Sequence, residues 1–243
     1  METPMDITLT ILYDNYNHDE NFRSSWGFSC LIESADWTIL FDTGGNDGNL
    51  MHNFSAAGKD PADVDLVVLS HFHWDHTGGL AQFLESRTGI EIVLPASFPD
   101  EFKREITGKG ALPVEVSDAR TIRDNVWTTG EMGKEIIEQS LAITTPGGLV
   151  ILTGCAHPGI KQIVEKTARE RDDNILLVMG GFHLLRTDTK TVESIAADFR
   201  EQGIHYVAPT HCSGDATRNI FQKRFGERFI LAGAGKIIHT SEL

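Results

Sequence analysis

The sequence predicts an α/β fold with helices covering both faces of its sheets. Short apolar runs alternate along the chain with segments of helical periodicity, a pattern typical of strands joined by helices. Four of the later apolar runs are each followed, within a few residues, by a histidine. Because ligands bind beyond the carboxyl ends of strands in such sheets, these histidines are expected to lie together.

The elements follow in order from the same pattern. Residues 7–12 are expected to form the first strand, and residues 28–32 and 37–41 a hairpin around the polar segment 33–36. Four strand–helix pairs come next. Their expected ranges are 66–69 with 79–86, 149–152 with 158–169, 175–179 with 192–202, and 206–208 with 215–225.

Two further segments have weaker signals. Residues 96–124 are the least regular part and are expected to be a solvated surface loop; a lid over an anionic substrate, built on Lys103, Arg104 and Lys109, is the alternative. Segments 65–73 (DLVVLSHFH) and 148–157 (GLVILTGCAH) are similar to each other. Two similar halves packed face to face would explain this repeat, and chance similarity between two buried strands is the alternative.

Composition limits the classes of function. The chain has 243 residues, 40% hydrophobic and 23% charged, as in ordinary globular proteins, and one domain over residues 1–243 is expected. No apolar run approaches the ~18 residues of a membrane span, the amino terminus lacks signal-peptide features, and three distant cysteines give no disulfide framework. We therefore expect a cytoplasmic protein that does not contact membranes, and an assembly of identical chains is compatible with the sequence.

The formal net charge of −14 argues against nucleic acid as a partner, because binding to phosphate backbones depends on basic surfaces. A small anionic substrate remains compatible with this charge if its site is locally positive. Bound metal ions would provide that positive charge.

The segment 69–80, LSHFHWDHTGGL, places three histidines and an aspartate within six residues, directly after an apolar run. His71 and His73 can point the same way from an extended turn, and Asp75 and His76 then supply an oxygen and a nitrogen at a neighbouring position. Neutral imidazole combined with carboxylate suits zinc, iron and related ions. A basic cluster is excluded because the segment contains an acid and the chain is acidic. The segment indicates a metal site.

HFHWDH resembles the signature of the metallo-β-lactamase fold superfamily, whose fold is a four-layer αβ/βα sandwich of two similar halves. Further landmarks of the superfamily follow in order: Asp42 in FDTGG, His157 in TGCAHPG and His211 in PTHCSGD. Together with WGFS, EQSLAI and GGFHL, these motifs are similar to the branch of 7,8-dihydropterin-6-methyl-4-(β-D-ribofuranosyl)aminobenzene-5′-phosphate synthases, which belong to methanopterin biosynthesis. The resemblance spans nearly the whole chain.

This resemblance implies two divalent metal ions, with zinc favoured and iron or manganese as alternatives. The implied ligands are His71, His73 and His157 for the first ion, and Asp75, His76 and His211 for the second. Asp42 would orient ligands through hydrogen bonds, although a turn residue that satisfies the FDTGG backbone is the alternative. Cys155 and Cys212 flank ligands and are expected to be small buried thiols.

The chain departs from the superfamily at the aspartate that usually bridges the two ions. The expected strand 175–179 leads instead into GGFHL, with no acid before Asp188. Two ions held by one carboxylate and a bridging hydroxide would keep about two net positive charges, which favours an anionic ligand. His183 in this motif has three interpretations: an acid–base or substrate-contacting residue, a metal ligand, or a structural histidine. We expect His183 and Asp75 to be catalytic.

Two reactions would use this same set of residues. In transfer, the ions bind the diphosphate of a dihydropterin-methyl donor as leaving group, and an aromatic acceptor captures the methylene. In hydrolysis, a metal-bound hydroxide attacks a phosphoester, thioester or lactone. The anionic preference slightly favours transfer. A redox enzyme is disfavoured because diiron relatives carry a glutamate where His73 stands, and a non-catalytic metal-binding module is disfavoured by the complete ligand set.

Overall fold

Two β-sheets packed face to face form the centre of the molecule, in a computed structural model that describes residues 4–46 and 48–243. The first sheet contains β1 (Thr8–Tyr13), β2 (Ser29–Glu33), β3 (Thr38–Phe41), β4 (Leu66–Val68), β5 (Glu91–Pro95), β6 (Leu112–Val116) and β13 (Ile237–His239). The second contains β7 (Arg120–Arg123), β8 (Val126–Thr128), β9 (Leu141–Thr145), β10 (Gly148–Thr153), β11 (Ile175–Gly181) and β12 (Tyr206–Thr210). The spatial orders are β13-β1-β2-β3-β4-β5-β6 and β12-β11-β10-β9-β8-β7.

Helices lie on the outer face of each sheet. The first sheet is covered by α1 (Asn49–Ala56), α3 (Leu80–Ser86) and α4 (Asp100–Gly108), whose apolar residues share a core with it. The second is covered in the same way by α5 (Ile160–Arg171), α6 (Thr189–Glu201) and α7 (Asp215–Phe225). The remaining helix, α2 (Trp74–Thr77), is a single turn within the histidine-rich segment. In the described part of the chain, none of these helices is long and apolar enough to cross a membrane.

Three apolar cores separate the four layers. Leu9 and Ile11 of β1 and Val150 and Leu152 of β10 point into the central core between the sheets. Ile151 points the opposite way, into the core beneath α5, α6 and α7. This alternation follows from the period of two in a strand, and apolar residues on both faces are what a strand buried on both sides requires. The expected αβ/βα sandwich is therefore present.

The direction of the strands brings the four histidines together. Strands β3 to β6 run parallel to one another in the first sheet, as do β10 to β12 in the second. The carboxyl ends of these strands lie at one edge of the sandwich, and the chain places His71 after β4, His157 after β10, His183 within two residues of β11, and His211 after β12. The two segments of the internal repeat are β4 and β10 with the turns that follow them, an arrangement that fits two similar halves.

All seven expected strands and four expected helices are present, with bounds that differ by at most three residues. The expectation of a surface loop over residues 96–124 is wrong, because this segment contains α4, β6 and β7. Helix α4 buries only Ile106, and β6 and β7 lie at the edges of their sheets, so the apolar pattern is weak. Lys103 donates to Ala96 O at 2.7 Å and Glu115 Oε2 at 2.8 Å, and thus ties α4 to β6.

Candidate metal centre

Three histidines form the first cluster of possible ligands. One ring nitrogen from each of His71, His73 and His157 lies within 4.8 Å of the others. His71 Nε2 is 3.0 Å from His73 Nδ1, and the ring centroids of His71 and His157 are 4.7 Å apart. The extended turn after β4 points His71 and His73 the same way, and the turn after β10 brings His157 to meet them. These are the three residues that the resemblance implies for one ion.

Asp75, His76 and His211 form the second cluster, and all three are buried. Asp75 Oδ2 is 3.8 Å from His76 Nε2 and 3.5 Å from His211 Nε2. Helix α2 begins directly after His73, and its single turn directs Asp75 and His76 toward the end of β12, where His211 lies. The two clusters adjoin, since the ring centroids of His71 and His76 are 4.2 Å apart.

A hydrogen bond holds the outer ring nitrogen of each buried histidine. His76 Nδ1 lies 2.7 Å from Asp42 Oδ2, and His71 Nδ1 lies 2.9 Å from Ser70 Oγ. His211 Nδ1 contacts Asn15 Oδ1 at 2.9 Å. Because these contacts use Nδ1, each ring presents Nε2 to the centre, which is the usual arrangement around a metal-binding histidine. Asp42, expected to orient ligands, thus touches one of them directly.

Two histidine Nε2 atoms that face the clusters indicate that the space between them suits a cation. His157 Nε2 and His211 Nε2 are buried, and neither has a hydrogen-bond partner among the described residues. A buried polar atom without a partner costs free energy, and a metal ion would accept the lone pair of each nitrogen. Imidazole and carboxylate are also the donors that zinc and iron accept. The residues therefore fit two divalent ions, one in each cluster.

The protonation states of three of these residues also fit metal binding. Burial and the neighbouring histidines lower the pKa of His71 and His157, to about 3 for His157, so both rings are neutral near pH 7. Burial opposes ionisation of Asp75, but its contacts with His211 and His76 hold its pKa at about 2. Neutral imidazoles and an ionised carboxylate are the forms that bind metals. At His76, burial opposes the charged form, but the neighbouring Asp42 carboxylate raises the pKa of the ring.

The backbone is strained around these clusters. Four residues other than glycine have positive φ there: Asp42 at 58°, Ala156 at 63°, His183 at 53° and His211 at 48°. This left-handed region is uncommon for residues with a Cβ, and such conformations concentrate at functional sites, where surrounding contacts enforce them. Each of the four lies in a segment that leaves a strand at the edge shared by both sheets.

Glu138 is a site residue that sequence reasoning missed, although it lies in the EQSLAI motif. Its buried carboxylate accepts hydrogen bonds from the backbone N–H groups of Cys155 at 2.9 Å, Ala156 at 2.8 Å and His157 at 2.8 Å. Burial raises its pKa to about 7. These bonds fix the turn that carries His157 and support the positive φ of Ala156. No spacing rule reveals such a residue, because it acts on the backbone of a turn far along the chain.

His183 lies at the border between the clusters and the solvent. Its ring centroid is 4.2 Å from that of His157, and two open pockets of about 740 and 750 Å³ meet at these two histidines. One pocket is lined by Lys161 and Lys190, and the other by Lys134. His183 thus faces the space that a substrate would occupy, and its catalytic role stays a prediction.

Aromatic side chains flank the second cluster on the solvent side. Trp74 is 64% exposed and Trp26 is 40% exposed, and the Trp26 ring lies 5.0 Å from that of His211. Exposed indole rings beside a cavity are suited to contact a planar ligand.

Comparison with known proteins agrees with this geometry. A family model described as the metallo-beta-lactamase superfamily matches residues 27–152, which is just over half of the chain. This chain belongs to the metallo-β-lactamase superfamily. The matched region runs from the WGFS segment through β10, and the expected four-layer fold of this superfamily is confirmed.

Similar members of the superfamily align over nearly the whole chain. A 7,8-dihydropterin-6-methyl-4-(beta-D-ribofuranosyl)-aminobenzene-5′-phosphate synthase of Methanocaldococcus jannaschii is 28% identical, over 94% of this chain and 95% of its own. The crystal structure of Tm1679, a metal-dependent hydrolase of the beta-lactamase superfamily, is 27% identical, with a TM-score of 0.82 over 96% of this chain and 98% of its own. YhfI from Bacillus subtilis, 16% identical, shares the fold with a TM-score of 0.71.

Proposed function

We propose that this member of the superfamily is a metal-dependent enzyme that transfers a dihydropterin-methyl group from a diphosphate donor to an aromatic acceptor carrying a ribose phosphate. The observation that carries the proposal is the end-to-end similarity to the Methanocaldococcus jannaschii synthase, over 94% of this chain and 95% of that relative.

The charge of the site supports an anionic donor. The two ligand clusters contain five histidines and a single carboxylate, Asp75. Two divalent ions held there would leave a net positive charge in a chain that is otherwise strongly acidic, which suits a diphosphate. Bound ions would supply Lewis acidity toward the leaving diphosphate and fix its orientation.

The surrounding residues would then bind and orient the organic parts. Lys190 lines the pocket beside His183 and could receive the phosphate of the acceptor, whereas Lys161 in the same pocket is paired with Asp198. Trp74 offers an exposed face for the pterin ring. When the acceptor replaces diphosphate, the methylene carbon loses its bond to oxygen and gains one to the acceptor, which releases a proton. His183 is placed to hold that proton.

Hydrolysis is the second candidate, and one observation favours it. Tm1679 shares 27% of its residues with this chain and has nearly the same fold, with a TM-score of 0.82, and it is described as a metal-dependent hydrolase. The same clusters could direct water instead of an aromatic acceptor to the reacting carbon or phosphorus. The acceptor is therefore the reagent that separates the two candidates.

The test follows a dihydropterin-6-methyl diphosphate donor by mass spectrometry, in zinc-loaded protein, with and without the ribosylaminobenzene phosphate acceptor. Transfer gives the adduct and diphosphate only when the acceptor is present. The His71→Ala variant should lose this activity. The His205→Ala variant should keep it, because His205 is exposed and precedes β12, at the opposite end of this strand from His211. Hydrolysis of the donor at the same rate with and without the acceptor would identify the enzyme as a hydrolase. The absence of any turnover would contradict the transfer proposal.

A further inference from the structure

Cys155 lies between the two ligand clusters. Its thiol belongs to three of the groups whose ligand atoms all lie within 4.8 Å of one another: with His71 and His76, with His211 and Cys212, and with His157 and His183. Its Sγ is 3.3 Å from His76 Nε2. Cys155 is therefore within reach of members of both clusters. We propose that the Cys155 thiolate is a shared ligand that bridges the two metal ions, an inference that rests on the two-ion site proposed above.

An orphaned nitrogen beside the thiol supports this position. His211 Nε2 has no hydrogen-bond partner among the described residues, its side chain is fully buried, and a ring nitrogen of His211 lies within 4.8 Å of the Cys155 sulfur. The sulfur and the orphaned nitrogen thus border the same enclosed volume. A cation in that volume would satisfy both, whereas a hydrogen bond between them is not formed.

At the end of the neighbouring strand β11, Gly181 contributes no side chain to the space beside Cys155. Gly181 ends β11 at the same edge, and a Cβ added there would lie 2.4 Å from Gly154 O and 2.7 Å from Cys212 Sγ. No side chain can therefore enter the centre from Gly181, which accounts for the absence of an acid in GGFHL. The turn of Cys155 fills that space, and Glu138 fixes the turn through the backbone N–H of Cys155 at 2.9 Å.

The chemistry of a thiolate has consequences for the metal. On binding, the S–H bond of Cys155 breaks, its proton passes to solvent, and the sulfur forms a bond to each ion. This adds a second negative charge beside that of Asp75 and no oxidation is involved. A soft sulfur ligand selects zinc, iron or cobalt over magnesium and manganese. A site with this thiolate should therefore bind zinc or iron and disfavour manganese, which the histidines alone would also admit.

Cobalt substitution tests the proposal. Wild type, Cys155→Ser and Cys212→Ser are loaded with two equivalents of Co²⁺ under reducing conditions, and absorption is recorded. Wild type and Cys212→Ser should show a thiolate-to-cobalt charge-transfer band in the near ultraviolet, and Cys155→Ser should lose it. Loss of one ligand should also weaken cobalt binding by about tenfold or more. Cys212→Ser is the matched control, because Cys212 is an equally buried thiol whose sulfur is grouped with only one cluster member, His211, and with none of the first cluster.

The cobalt experiment distinguishes failure of the Cys155 proposal from failure of the two-ion site. Two bound cobalt ions without the charge-transfer band, or a band that survives in Cys155→Ser, overturn the role of Cys155 and leave the two-ion site standing. Absence of bound cobalt in wild type overturns both proposals. If Cys155→Ser does not fold, X-ray absorption of zinc-loaded wild type decides: a bridge gives one sulfur per zinc at about 2.3 Å, and half a sulfur or none per zinc contradicts it.

Discussion

At the scale of single residues, the contact between Asp42 and His76 decides which imidazole nitrogen faces the second cluster. The carboxylate oxygen lies 2.7 Å from His76 Nδ1, so the ring carries its proton there and offers the lone pair of Nε2 to a metal. Ser70 donates both its backbone N–H and its hydroxyl to the same carboxylate, each at 2.7 Å. All three donors therefore use the two oxygens of Asp42 as acceptors.

The Asp42→Asn variant should bind metal at the second cluster about 10- to 100-fold more weakly than wild type. The amide oxygen can still accept from Ser70, but the amide N–H₂ then faces His76 Nδ1. The ring must take the other tautomer, which places a proton on Nε2 and removes the lone pair from the cluster. Asparagine tolerates the φ of 58° at this position, so the backbone should not move. Competition titration with a chromophoric chelator measures the loss.

Asp65→Asn is the matched control for this variant. Asp65 is an exposed carboxylate that accepts from Thr38 N, and its amide analogue should leave both zinc-binding steps unchanged. Equal zinc affinities for Asp42→Asn and wild type would show that His76 does not need this carboxylate to present Nε2.

Sequence reasoning found the residues whose chemistry resides in their own side chains and missed those that act through others. His71, His73, Asp75 and His76 could be identified because their density has no explanation in packing. Glu138 acts through backbone N–H groups of a distant turn, and Asn15 reaches His211 across nearly 200 positions of the chain. Only the folded chain creates these contacts, so no local pattern predicts them.

At the scale of elements, the junction between β10 and the turn that follows it has no room for a side chain. A Cβ added to Gly154 would lie 2.1 Å from Ser70 Oγ and 2.9 Å from Asp42 Oδ2. The Gly154→Ala variant should therefore push Ser70 away from the Asp42 carboxylate, and overpacking of this kind lowers the free energy of unfolding by about 1–3 kcal/mol. Urea denaturation followed by circular dichroism measures the difference.

Gly108→Ala provides the comparison for that variant. Gly108 ends helix α4, and a Cβ there would meet no atom within 4 Å. Alanine in a helix should leave stability unchanged or raise it by up to about 1 kcal/mol. If both variants have the same free energy of unfolding, the close approach of β10 to Ser70 does not limit stability.

The elements that the sequence predicted are those that bury apolar residues regularly. Strands β10 and β11 are buried along their entire lengths, and their continuous apolar runs are visible in the sequence. Strand β7 has no buried residue, and α4 has one, so neither leaves a periodic apolar pattern. Contacts with neighbouring elements stabilise edge strands and surface helices. The sequence of such a segment alone therefore does not predict its secondary structure.

At the scale of the whole molecule, a buried aspartate joins the two sheets at the edge that carries the site. Asp14 follows β1 of the first sheet and accepts from the hydroxyl of Thr210, the last residue of β12 in the second sheet, at 2.6 Å. It also accepts from Tyr16 N at 2.8 Å. Burial outweighs these hydrogen bonds and raises its pKa from 3.8 to about 6. Ionisation of the Asp14 carboxyl group therefore lowers the free energy of unfolding.

The unfavourable ionisation of Asp14 should make the free energy of unfolding depend on pH in a way that the Asp14→Asn variant lacks. Between pH 3.8 and about 6 the native state holds the Asp14 proton more tightly than the unfolded state, so this group lowers the free energy of unfolding as pH rises. Two pKa units correspond to roughly 3 kcal/mol. Relative to wild type, Asp14→Asn should therefore gain up to about 3 kcal/mol between pH 4 and pH 7. Denaturation of metal-free protein isolates the effect, because protons also compete with metals at the histidines. The exposed Asp36→Asn serves as control, and a constant difference between Asp14→Asn and wild type across this range would refute a buried, unfavourably ionised Asp14.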